Sequence, residues 1–115
     1  MNFLNGTVVS GGVKVPALGD AVLETDVQLP AESNVVTVGL RPQHLEVSAA
    51  DSSVKVDLRE RLGGVAYDYL TTPTGERIVV ETKGDDPIDP GTTVEVKVEA
   101  GRALFFDAVS EKRIR

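Results

Sequence analysis

The clearest alternation in the chain starts at Val54. Val54, Val56 and Leu58 interleave with Lys55, Asp57 and Arg59. Successive side chains of a strand point to opposite faces, so this period of two predicts one buried and one wet face. It places Leu58 on the apolar side and Arg59 on the polar side. Val65 to Thr71 continues the pattern, with Tyr67 and Tyr69 on one face and Asp68 and Leu70 on the other. Arg77 to Thr82 reads as a returning strand after the turn Thr72-Pro73-Thr74-Gly75. Val94, Val96 and Val98 alternate with Glu95, Lys97 and Glu99, and Ala103 to Asp107 closes the series. The paired glycines Gly63-Gly64 follow Glu60-Arg61-Leu62 and predict a bulge or a sharp bend at a barrel corner.

The first half is less regular. Residues 3–9 and 13–15 read as strands around Ser10-Gly11-Gly12, and Pro16 stops the second. Asp20 to Leu29 is nearer a period of 2 than 3.6. Val35 to Leu40 is almost continuously apolar and β-branched, as in a central strand. Pro42 then ends regular pairing, because it has no N–H to give a ladder and constrains Arg41 before it. Gln43-His44-Leu45 is expected to make one turn, with Leu45 and Val47 returning to the core. The total is roughly nine or ten short strands and no helix, the spacing of a small barrel or sandwich. Closure removes sheet edges, so an all-β, OB-fold-like barrel with additional N-terminal strands is expected. Residues 1–115 read as a single domain, with an internal seam at 49–53 before a five-strand second part.

Composition agrees: 19 of the 115 residues are valine, which is stiff at its first torsion and suits a pleated surface. The net charge is −6, which disfavours a nucleic-acid partner and adhesion to an anionic membrane. There is no cysteine, hence no disulfide framework and no thiolate metal site. No run approaches the roughly 20 apolar residues of a membrane span. The start, Met1 to Asn5, lacks a signal-peptide pattern. A soluble, cytosolic domain cut from a longer protein is the expectation.

No nucleophile–base pair is readable, so no catalytic residue is assigned. His44 is the only histidine and has no partner ligand, so a ring bonded to a backbone group is expected rather than a metal site. Arg41 is expected to tie its loop to a carboxylate or to carbonyls with its fork of donors, so that Arg41→Ala lowers stability. Tyr67 and Tyr69 resemble a base-stacking platform, but the acidic charge points to core or interface. Asp85, Asp86 and Asp89 lack the spacing of a calcium loop and read as a solvated turn. Phe105 and Phe106 are adjacent and must face opposite sides. One belongs to the core; the other needs a second layer or a partner. Tyr67, Tyr69, Phe105 and Phe106 are therefore the candidate interface residues.

Four segments, in order, resemble the C-terminal regulatory domain of the ATPase subunits of bacterial ABC importers of the maltose and glycerol-phosphate type. They are Met1-Asn2-Phe3-Leu4, Gly39-Leu40-Arg41-Pro42-Gln43-His44-Leu45, Glu60-Arg61-Leu62-Gly63 and Leu104-Phe105-Phe106-Asp107. Gln43 stands where that family usually has Glu, and Ser110-Glu111 where it usually has Thr-Gly. The resemblance makes Gly39, Arg41, Pro42, His44, Glu60, Gly63 and Gly64 structural motif residues. The sequence contains no Gly-x-x-x-x-Gly-Lys-Ser/Thr phosphate loop. The resemblance thus implies a non-catalytic, transport-associated OB barrel without a cofactor of its own. ATP and Mg would bind an upstream domain. The implied partners are a second copy through the parent ATPase, membrane permease subunits through the upstream domain, and in some members a regulatory protein. The implied location is the cytoplasmic face of the bacterial inner membrane, and the solute a sugar by analogy. The alternative is a stand-alone oxyanion-binding barrel with donors from Ser10-Gly11-Gly12 or Thr92-Thr93.

Overall fold

The computed structural model describes residues 1–83 and 88–115. Asp85 and Asp86 of the acidic loop lie outside them. Eleven strands form among the described residues, with no α-helix. They are β1 (Asn2–Val9), β2 (Gly12–Val15), β3 (Ala21–Glu24), β4 (Val35–Leu40), β5 (Leu45–Ala49), β6 (Lys55–Leu62), β7 (Val65–Thr71), β8 (Arg77–Thr82), β9 (Val94–Val98), β10 (Leu104–Asp107) and β11 (Arg113–Ile114). The fold is all-β, as the alternation requires. Asp20 to Leu29 yields only the four residues of β3, and β11 is an addition at the C-terminal end.

Strand order departs from a simple sequence-ordered barrel. Six strands make one sheet in the order β11-β10-β4-β1-β2-β3, with β5-β9 and β6-β7-β8 as smaller sheets. The five-strand part is thus β5 to β9, because β10 crosses back to pair antiparallel with β4, Phe105 opposite Val38. A Lys55–Thr93 bridge, with Val56 N–H donating to Thr92 O and Val94 N–H to Val54 O, joins β6 to the start of β9. On the other side β8 packs against β5. The smaller sheets are therefore hydrogen-bonded to each other along one seam and lie close along the other, and they do not close into the barrel that was expected.

One hydrophobic cluster spans all three sheets and crosses the 49–53 loop. It includes Leu4, Val13, Val15, Val36, Val38, Leu40, Leu45, Val56, Leu70, Ile78, Val80, Val94 and Phe105. Asn2 ties the sheets together. Its side chain is buried and acts as a surrogate peptide group: Nδ2 donates to Leu40 O (3.1 Å) and Val79 O (2.9 Å), while Oδ1 accepts from Val79 N–H (2.8 Å). Nearby, Asn5 N–H donates to the Glu76 carboxylate in the β7–β8 turn.

Two local readings are corrected. Gly63-Gly64 form a two-residue hairpin turn between Leu62 and Val65, which pair directly. Gly63 sits at φ 65°, a left-handed conformation that glycine adopts without a Cβ clash. The bulge lies six residues earlier, where Val56 opposes Leu70 but Leu58 opposes Tyr69. Asp57 is the extra residue, and it shifts the alternation by one. Leu58, expected inside, is 55% exposed. Arg59, expected in water, turns inward.

Candidate functional site

The Arg41-Pro42 step delivers a short 3-10 turn at Pro42–His44, with proline supplying its preset φ at the first position. The turn is held by its backbone: His44 N–H donates to Arg41 O (3.0 Å) and Glu99 N–H to His44 O (2.9 Å). The Arg41 side chain is exposed and ties to no carboxylate or carbonyl among the described residues, contrary to the expectation. His44 also departs from its expected role, because its ring Nδ1 is buried without a hydrogen-bond partner in the described structure. No group of three His, Cys, Asp or Glu residues is placed to hold a metal among the described residues. Glu60 and the Gly63-Gly64 turn belong to the β6–β7 hairpin, and Val65, next to that turn, lines a cleft with Gln43 of the 3-10 turn.

The inversion at Asp57 creates a buried ion pair that alternation alone conceals. Arg59 Nε lies 2.6 Å from Asp68 Oδ1 and Nη2 lies 2.8 Å from Oδ2, with side-chain exposures of 4% and 0%. This fork-on-fork geometry is the strong form of a charge-assisted bond. It orders β6 against β7. One signal could have found it. Asp68 shares its face with Ala66 and Leu70, so it must be buried and must have a cation.

Two of the open sheet faces carry aromatic side chains. The first is on the six-stranded sheet. Phe105 is buried, while Phe106 lies on the opposite face against Phe3, ring centroids 5.9 Å apart and edge to face. Phe3 is itself 59% exposed. Gly39 pairs with Phe3 and Leu104 between them. A Cβ there would lie 2.9 Å from Met1 Sδ and from Phe106 Cε2, so glycine lets both side chains lie over the strand. The centre of the patch is apolar, with Asn5 and Thr37 beside it and Arg113 opposite Phe106 at its β11 edge.

The second face is the outer side of β6-β7-β8. Cross-strand pairing sets three rows: Leu58–Tyr69–Val79, Glu60–Tyr67–Glu81 and Leu62–Val65. Tyr67 and Tyr69 are half-buried and line this surface, not the core. The Tyr67 hydroxyl donates to Glu81 (3.2 Å) and Tyr69 reaches Glu60 at 3.5 Å. The hydrogen bond to Glu81, and then that group's negative charge, raise the Tyr67 pKa above the ordinary tyrosine value.

The two alternative segments considered for an oxyanion lie in different parts of the fold. Ser10-Gly11-Gly12 joins β1 to β2 in the six-stranded sheet, while Thr92-Thr93 sits at the β6–β9 seam. The Thr93 hydroxyl already donates to Ala50 O (2.7 Å). A separate groove of about 970 Å³ runs between β3 and the β9–β10 turn, lined in part by Glu24, Asp26 and Glu99. No described helix is long and apolar enough to cross a membrane.

Comparison with known proteins adds the following. A family model described as the TOBE domain matches residues 38–106, from the Gly39–His44 stretch to Phe106. The lactose transport ATP-binding protein LacK of Rhizobium radiobacter is 33% identical, covering 100% of this chain and 34% of its own length. The sn-glycerol-3-phosphate import ATP-binding protein UgpC of Cupriavidus pinatubonensis is 36% identical, over 90% of this chain and 27% of its own length. The chain thus spans about a third of the curated relatives it matches. Among solved structures, the cytoplasmic molybdate-binding protein ModG superposes with a TM-score of 0.70 at 16% identity, covering 90% of this chain and 94% of that one; this is a likeness of fold. With more than half of its residues matched to one family model, the chain belongs to the TOBE domain family.

Proposed function

We propose that this chain is the non-catalytic regulatory and dimerisation domain of the ATP-binding subunit of a bacterial ABC importer for a small solute, a sugar by analogy. The observation that carries the reading is collinear similarity. LacK and UgpC match along 100% and 90% of this chain, yet it accounts for only about a third of each. In this reading ATP and Mg belong to the remainder of the parent subunit, which contacts the permease at the cytoplasmic face of the membrane. The second copy is recruited through the apolar patch of Phe3, Gly39, Leu104 and Phe106. Its centre is apolar and Arg113 stands at its β11 edge, so a two-fold axis near Phe3 and Gly39 would keep the two guanidinium groups apart.

The test is deletion of this segment from the parent subunit, with ATP hydrolysis and solute uptake measured together. Hydrolysis by the remainder should persist while regulated uptake falls, and the isolated chain should hydrolyse no ATP. A parent gene without an upstream phosphate-loop domain would sink the proposal. The oxyanion alternative would be revived if molybdate, sulfate or phosphate raised the melting temperature of the chain in a saturable way.

A further inference from the structure

The outer face of β6-β7-β8 is built by the bulge at Asp57. A regular strand would have buried Leu58 and exposed Arg59. The bulge instead turns Leu58 outward and requires a buried ion pair inside. Exposing a leucine that could be buried forgoes the favourable removal of its side chain from water, and bulges are found where a side chain must be re-aimed. Leu58 and Leu62, 55% and 54% exposed, flank Tyr67 and Tyr69 on this surface.

Its charge pattern distinguishes it from the Phe3–Phe106 patch. Glu60 and Glu81 stand on either side of Tyr67 in one row. Lys55 and Arg77 pair with Thr71 at the far end of the face, and Lys83 lines the cleft toward β5. None of these three bases is ion-paired with Glu60 or Glu81 among the described residues. A two-fold contact centred on this row would set carboxylates of one copy beside those of the other. A basic partner instead gains both charge complementarity and the tyrosine ring faces.

We propose that this face docks a protein partner, other than a second copy of this chain, that presents apolar side chains beside arginine or lysine. Leu58 and Leu62 supply the apolar contact, Tyr67 and Tyr69 the aromatic floor, and Glu60 and Glu81 hold the cation. The proposal stands apart from the importer role, since it needs only this surface.

The test titrates the isotope-labelled 115-residue chain by NMR with a short synthetic peptide alternating leucine and arginine. The same peptide with glutamate replacing arginine serves as its counterpart. Saturable shifts are expected at the Leu58 and Leu62 methyls and the Tyr67 and Tyr69 rings with the arginine peptide alone. Glu60→Gln/Glu81→Gln should weaken binding about tenfold or more. Glu24→Gln/Asp26→Gln, which removes the same charge from another surface, should leave it unchanged. Equal weakening by both double variants would reduce the effect to net-charge attraction and overturn the proposal. So would shifts located elsewhere, or no response. Concentration-dependent shifts at these same residues without peptide would assign the face to a second copy and equally overturn it.

Discussion

The Arg59–Asp68 pair permits the sharpest test of how the strands are held. Asp68→Ala removes the carboxylate and leaves a guanidinium that is only 4% exposed. Breaking a buried pair from one side typically costs about 3–5 kcal/mol, because the remaining charge stays desolvated. A domain of this length is stabilised by roughly 6–17 kcal/mol in all, from about 0.05–0.15 kcal/mol per residue. The single change thus removes a large share. With a urea slope of about 2 kcal/mol/M, the unfolding midpoint should fall by about 2 M. Replacing both partners, Arg59→Met with Asp68→Leu, removes both charges and fills the space with apolar volume. Its stability should return to within about 1.5 kcal/mol of the starting protein, since paired charges seldom outperform a packed apolar isostere. Urea unfolding followed by circular dichroism on the parent, Asp68→Ala, Arg59→Met and the double variant measures the coupling directly. If the losses of the two single variants add in the double, or Asp68→Ala shifts the midpoint by less than about 0.5 M, the pair is not the desolvated contact described.

Other expectations follow from named contacts. Asn2→Ala strips three hydrogen bonds that join β1 to β4 and β8; it should cost about 2–4 kcal/mol by leaving Val79 groups unpaired, and hydrogen exchange at the Val79 amide should accelerate. Gly6→Ala would set a Cβ 2.4 Å from Val13 Cγ1 and 3.0 Å from Val38 Cγ2. These are buried, branched side chains that cannot swing away, so a loss of about 1–3 kcal/mol is expected in chemical denaturation. Arg41→Ala should change stability by no more than about 0.5 kcal/mol, because the exposed guanidinium holds nothing among the described residues; a large drop in melting temperature would contradict that reading. Tyr67 binds its proton more tightly when folded, through Glu81. Its phenol should therefore stay protonated as pH rises through the ordinary tyrosine value and ionise only above it. Glu81→Gln should bring the ultraviolet phenolate transition back down.

Strand content was legible because the signals are local. Period-two alternation, valine-rich runs and glycine or proline punctuation each act over a few residues, and they located β1, β2, β4 and β7 to β10 to within a residue or two, while β6 runs on past Arg59 to Leu62. The step at Arg41-Pro42 likewise announced its turn through the fixed φ of proline. The turn carries its family signature in the same residues, which is why the match begins at Val38. The candidate interface residues could be named but not separated. Tyr67, Tyr69 and Phe106 face solvent on two different sheets, whereas Phe105 is core.

The sequence by itself determined that this chain forms short strands around one valine-rich core, with the turn at Pro42 between its halves. Only the tertiary structure decided which strands pair and which way β6 faces. Pairing is non-local: β10 finds β4 across more than sixty residues, and nothing in the alternation of either strand records its neighbour. Facing depends on phase, and one inserted residue resets phase without altering the local pattern of polar and apolar letters. Asp57 is that residue. It converts a leucine read as core into exposed surface, and an arginine read as solvated into the buried partner of Asp68.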